Sequence, residues 1–307
     1  MTLAERAAGL GANQRSILYM VLGMGGFAVE DAFIKLASAH VPTGQIMLTL
    51  GVLGGPIFAV LAWMRGHRAW SREALHWAVL GRNLGEMTGS LCYVAALAVA
   101  PLVTTTAIFQ AMPLAVTMGA ALFLGEQVGW RRWTAILVGF GGVLLIIRPG
   151  AADFEPASLL AVGAVVGLAA RDLFTRRIPG RIDTMLLTSW GFLAVALVGA
   201  AQLWLTGGAM RPSGPDALLL LGALAFGGVG YWLLTASTRL GELSAIMPFR
   251  YARLLFALGI GVLLFAERPD AWTLLGAAVI VGSGTYTFTR ERARARAAAL
   301  STAALPR

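Results

Sequence analysis

Charge is scarce in this chain: Asp, Glu, Lys and Arg together make 13% of 307 residues. An ordinary soluble domain carries roughly 25%. Cysteine is scarcer still. Cys92 stands alone inside an apolar run, which excludes an internal disulfide and any C-x-x-C metal or redox motif. The three histidines, His40, His67 and His76, all fall near the ends of apolar segments. No metal cluster is expected from that inventory, and no cofactor. H-E-x-x-H and G-x-S-x-G are absent, as is a Walker motif. A catalytic set is therefore not expected, nor is a nucleotide-driven engine within the chain. Gly23-x-Gly25-x-x-Ala28 matches a dinucleotide fingerprint in form. It sits inside an apolar helical run with no preceding strand, which makes it a packing feature.

What the chain has in abundance is apolar surface: 58% hydrophobic residues, 38 glycines and a mean hydropathy of +0.75. A soluble fold of this length cannot hide so much from water. Each membrane span needs about 20 apolar residues to cross roughly 30 Å of hydrocarbon. Ten such runs are legible, at about 16–38, 44–64, 77–98, 101–123, 132–148, 157–175, 184–206, 216–236, 244–265 and 271–288. Turn and charge signals separate them, among them Val41-Pro42-Thr43-Gly44, Arg148-Pro149-Gly150 and Ile178-Pro179-Gly180-Arg181. The expected fold is an all-α polytopic membrane protein of ten transmembrane helices. Arg6, Arg15 and Ala37-Ser38-Ala39 imitate a cleavable leader, but Glu30, Asp31 and Lys35 interrupt its apolar core, so an uncleaved first span is expected.

The net charge of +9 reads as topology. With the N-terminus inside, inner segments hold 17 of the 24 Lys and Arg residues, among them Arg6, Arg15, Arg65, Arg131, Arg132, Arg176, Arg177 and the tail Arg290, Arg292, Arg294 and Arg296. Only Lys35, Arg148, Arg211 and Arg268 stand at outer ends. The positive-inside rule then places both termini in the cytoplasm. No nucleic-acid partner is expected of the basic tail.

The chain repeats itself. Glu126 is followed by Ala135 and Gly141 at +9 and +15, and Glu267 by Gly276 and Gly282 at the same spacings. The copies lie five spans apart. Five is odd, so the second copy is inverted in the bilayer, an arrangement typical of secondary transporters.

The segment Leu124-Gly125-Glu126-Gln127-Val128-Gly129-Trp130-Arg131-Arg132-Trp133, continuing to Gly139-Phe140-Gly141-Gly142-Val143, resembles the end of a first EamA repeat. Pro248-Phe249-Arg250-Tyr251 and Phe265-Ala266-Glu267-Arg268-Pro269-Asp270-Ala271-Trp272 match the second half. The chain thus resembles the drug/metabolite transporter superfamily over about residues 16–290. Ala135 stands where such repeats often have Gly. The resemblance implies two inverted five-helix EamA repeats, with spans 1–4 and 6–9 around a central cavity and spans 5 and 10 peripheral. It implies transport of a small molecule, with amino-acid export first and uptake of S-adenosylmethionine or riboflavin as the alternative. The division expected is a cytoplasmic tail 1–15, a first repeat 16–148, an external linker 149–156, a second repeat 157–289 and a basic cytoplasmic tail 290–307. A bacterial inner membrane is the expected location, and a homodimer is compatible with the pattern.

Ionisable groups in hydrocarbon cost several kcal/mol unless paired or wet, so each is a functional candidate. Arg82 and Glu86 lie at i, i+4 on the third span, beside a stripe of Gly81, Gly85 and Gly89 that reads as close packing. The sixth span offers Arg171 and Asp172, and the ninth Arg250, Tyr251 and Arg253. These charged residues are expected to form one inner cluster of net +2 that gates the path or receives a substrate carboxylate. Glu30 and Asp31 are candidates for proton coupling, with Asp31–Lys35 as the expected local pair. Tyr93, Gln110, Tyr231 and Trp232 are the remaining cavity candidates, and Pro113 and Pro248 the candidate hinges. Glu126 and Glu267 are expected to cap or pair at span ends.

Overall fold

The computed structural model describes residues 12–67, 71–151, 154–240 and 246–303. Among them every regular element is helical. The helices are α1 (Ala12–Ala37), α2 (Thr43–Trp63), α3 (Trp77–Val99), α4 (Leu102–Phe109), α5 (Met112–Phe123), α6 (Trp130–Ile147), α7 (Ser158–Thr175), α8 (Thr184–Thr206), α9 (Gly214–Leu240), α10 (Ala252–Phe265) and α11 (Ala271–Ala303). A 3₁₀ turn, Met247–Tyr251, leads into α10. Eight helical segments are long and apolar enough to cross a membrane. With α3, which is less apolar because it carries Arg82, Asn83 and Glu86, and with α11, they make the ten spans.

Three boundaries differ from the sequence pattern. The first helix is already formed at Ala12, four residues before the apolar run. The fourth span is two helices, α4 and α5, broken at Gln110 and Ala111. Both sides of that break are apolar, so hydropathy cannot show it. Its local cause is Pro113, which removes an N–H at the start of α5. The last helix runs past the bilayer segment to Ala303, because the Ala- and Arg-rich segment after 290 favours helix. The first eleven residues and the side chains beyond 289 lie outside the described residues.

The spans pair as an inverted repeat must. α1 packs along α9 and α3 along α7, while α2 packs on α8 and α6 on α11. Exchanging the halves turns the first pair into the second and returns each of the last two to itself. The 141 positions from Glu126 to Glu267 carry this relation through the chain. Gly26 meets Gly230 backbone to backbone, and Gly167 meets Gly89; each contact is the other shifted by one repeat. The fourth span of each repeat also ends in the same turn. The Glu126 N–H donates to the Ala120 carbonyl at 3.2 Å, and Glu267 to Gly261 at 2.9 Å. The residue before each acid has positive φ, +71° at Gly125 and +50° at Ala266.

The Gly81-Gly85-Gly89 stripe is the crossing with α7. A Cβ on Gly85 would lie 2.7 Å from the Arg171 amide nitrogen and 2.8 Å from the Gly167 carbonyl oxygen. Those atoms are backbone and cannot yield. On the peripheral pair, α6 and α11 cross where Gly142 meets Gly276. Gly141, one position round, faces open space. Gly167→Val is therefore expected to abolish a monodisperse folded protein. Gly141→Ala should keep the thermal midpoint or raise it, by at most about 1 kcal/mol of helix propensity. Size-exclusion profiles and thermal melts in detergent check both, and equal behaviour of the two variants would contradict the crossing.

Candidate functional site

A cavity of about 370 Å³ enters the bundle from the end where α5 and α7 finish and α6 begins. Its mouth holds Glu126, Arg132 and Arg176, its wall Asp172, Arg250, Tyr251 and Gln110, and its depth Phe27, Phe109, Met112 and Arg253. The α4/α5 break lies on this wall. Gln110 donates from its amide to the Arg250 carbonyl at 3.4 Å, joining the break to the 3₁₀ turn of the other repeat. Pro113 lines the cavity; Pro248 lies in that turn. The Tyr251 ring lines the wall. Its buried hydroxyl has no hydrogen-bond partner among the described residues, and a Cβ on Gly284 would run into it.

The single expected cluster of six charges is two separate assemblies and a remainder. The first is a ladder of alternating sign. Arg82 meets Glu86 at 3.6 Å, Glu86 meets Arg171 at 3.4 Å, and Arg171 holds Asp172 at 2.8 Å. Arg82 also donates to Asn83 at 3.1 Å. Gly191 of α8 leaves the room for this pair, since a Cβ there would lie 2.9 Å from the Arg82 guanidinium. The ladder staples α3 to α7 and balances its own charge. Only its last member, Asp172, reaches the cavity.

The second assembly sits at the cavity floor. Arg253 donates to Asp31 through Nε at 3.0 Å and through Nη2 at 2.7 Å to each carboxylate oxygen. Tyr93 donates to Asp31 Oδ2 at 3.0 Å. Three rings surround the guanidinium, with centroids 5.4 Å away at Phe27, 5.5 Å at Tyr93 and 5.2 Å at Phe109. Bidentate geometry and a ring cage are what a buried arginine needs to offset the loss of water. This pairing corrects the expected Asp31–Lys35 bridge. Asp31 turns inward and is 1% exposed, while Lys35 reaches Glu267 at 3.9 Å and the Ala100 carbonyl at 2.6 Å. A long arginine from α10 reaches an acid assigned to the opposite half of the bilayer, a contact that helix periodicity cannot anticipate.

The remainder is Arg250. It lines the cavity, and among the described residues no carboxylate lies within salt-bridge distance of it. Glu30, Tyr231, Trp232 and Glu267 sit outside the lining. Glu30 lies against Gly227 of α9, where a Cβ would meet its carboxylate at 2.5 Å. Tyr231 shares a 2.7 Å hydrogen bond with Thr188 and packs edge-on against Phe58. Trp232 is 63% exposed beside Tyr19. Glu126 pairs with Arg176. Glu267 accepts from the N–H groups of Leu102 and Val103 at 2.6 and 2.9 Å. That last role caps the start of α4 and joins the two repeats.

The EamA-like transporter family model matches residues 14–148 and 156–289. The chain belongs to the EamA-like transporter family. Among its relatives, the pseudopaline exporter of Pseudomonas aeruginosa is 30% identical over 275 residues, 86% of this chain and 93% of that one. The S-adenosylmethionine uptake transporter of Rickettsia felis is 29% identical over 203 residues, 65% of this chain and 67% of that one. The riboflavin transporter of Vibrio cholerae is 32% identical over 179 residues, 57% and 58% of the two chains. One solved crystal structure aligns at a TM-score of 0.64 and 20% identity, covering 91% of this chain and 98% of that one; it shares the fold. The family is one of membrane transporters, and the relatives move small molecules in both directions.

Within this EamA fold, Arg253→Met strands a buried carboxylate and should cost about 3–5 kcal/mol of stability. The double variant Asp31→Leu with Arg253→Met should lose less than Arg253→Met alone. Thermal melts of the two singles and the double form the cycle that checks this. Additive losses would contradict a direct pair.

Proposed function

We propose that this chain is a secondary transporter working by alternating access, which exports amino acids or similar small amphipathic metabolites across a bacterial inner membrane. Both termini face the cytoplasm in this reading, so the cavity mouth opens inward. The observation that carries the substrate class is the presence of Arg250 and Asp172 on one cavity wall. Arg250, which makes no salt bridge among the described residues, offers a cation to a carboxylate. Asp172 offers an acid to an amine. Between them a zwitterion replaces the water it sheds with charge-assisted hydrogen bonds, worth about 1.5–3 kcal/mol each. Phe27, Phe109 and Met112 line an apolar depth for the side chain. The ladder of Arg82, Glu86 and Arg171 holds α3 and α7 together behind the wall, and Pro113 and the turn at Pro248 are the hinges. Asp31 is engaged by Arg253 and Tyr93, which leaves Glu30 as the carboxylate to test for proton coupling.

A second reading is uptake of a larger metabolite, S-adenosylmethionine or riboflavin, and relatives of about the same identity favour it. The readings part on charge. If Arg250 receives a carboxylate, free amino acids bind the purified protein and their methyl esters compete poorly. Arg250→Gln should then weaken binding of the free acid about 10- to 100-fold and leave the esters where they were. Calorimetric titration reads both. Equal competition by ester and acid, or an Arg250→Gln variant of unchanged affinity, would remove the role, and riboflavin binding indifferent to Arg250 would favour the second reading.

A further inference from the structure

The repeat spacing that relates Glu126 to Glu267 also relates Lys35 to Arg176. Each half therefore contributes one acid at the end of its fourth span and one base at the end of its first. The acid of each half meets the base of the other: Glu267 pairs with Lys35, and Glu126 with Arg176. Because the repeats are inverted, the two pairs stand at opposite ends of the bundle.

The two ends are not in the same state. At the Glu267 end, Lys35 donates to the Leu97 and Ala100 carbonyls at 3.3 and 2.6 Å, and Glu267 accepts from Leu102 and Val103. That draws α1, α3, α4 and α10 into one knot, with side chains 17% and 12% exposed. At the other end Arg176 and Glu126 are 47% and 45% exposed and stand in the cavity mouth. Among the described residues they tie α7 to the end of α5. The repeat symmetry requires that what one end does in this state, the other can do in the inverted state.

We propose that Lys35–Glu267 and Arg176–Glu126 are the two gates of one alternating device, the first shut and the second open in this structure. The inference rests on the alternating-access reading above, but it does not depend on the substrate. Opening the Glu267 end requires Lys35 to leave the α3 carbonyls and Glu267 to release the start of α4. Closing the other end draws Glu126 and Arg176 out of water.

Labelling with a membrane-impermeant maleimide tests it, since Cys92→Ser removes the single native thiol. Two reporters suffice in that background: Ala37→Cys, buried two residues past Lys35 at the end of α1, and Val116→Cys, in the cavity wall. The parent should label fast at position 116 and slowly at position 37. Glu267→Gln should speed labelling at 37 about tenfold and slow it at 116. Lys35→Gln, which leaves the Glu267 acceptor in place, should do the same more weakly. Glu126→Gln should leave 116 fast and 37 slow. Unchanged labelling in Glu267→Gln overturns the proposal, and so does a rise at both reporters, which marks a loosened fold and no exchange between states. Transport is not the readout, so a wrong substrate assignment leaves this result standing.

Discussion

The structure depends on backbones touching. In hydrocarbon, lipid tails are as apolar as leucine, so helices associate through close packing at small residues. Here Gly89 meets Gly167 at a separation no side chain allows, and Gly26 meets Gly230 at one tighter than a side chain ordinarily makes. These two crossings are one contact used twice, and they fix the depth and rotation of α1, α3, α7 and α9. Once α3 and α7 are locked at Gly89 and Gly167, Glu86 and Arg171 must face each other. Once α1 is locked to α9, Asp31 turns toward the centre and meets Arg253. Close packing comes first and the placement of charge follows from it.

That placement is economical. A buried charge is tolerated only when paired and hydrogen-bonded. The ladder from Arg82 to Asp172 balances itself across two helices, and Asp31 balances Arg253 with help from Tyr93. Arg250 is then a cation on the cavity wall with Asp172 near it and, among the described residues, no carboxylate within salt-bridge distance. In the proposed function this is the cation that receives the substrate.

Much of the architecture was legible in the residues. Ten apolar runs became ten spans, and the spacing around Glu126 and Glu267 became an inverted repeat whose fourth spans end in turns that share hydrogen bonds and positive φ. The glycine stripe of α3 became a helix crossing. Charge partners were not legible, for a physical reason. Spans that face lipid on one side and apolar protein on the other have little amphipathicity, so periodicity does not say which way a side chain points. Asp31 and Lys35 lie four apart and look like a pair, yet tertiary contacts send one inward and the other to the rim. Trp232 sits deep in its span but points outward. The break at Gln110 hides between equally apolar residues.

The central claim is that this cavity serves nucleotide-free movement of a charged small molecule across a membrane. The direct measurement is flux into proteoliposomes holding the purified protein, with labelled amino acids, S-adenosylmethionine and riboflavin offered in turn, without ATP, with and without a pH gradient. The account predicts saturable flux of an amino-acid-like solute that Arg250→Gln abolishes. Absence of flux for all three classes, or flux of riboflavin alone, would contradict it.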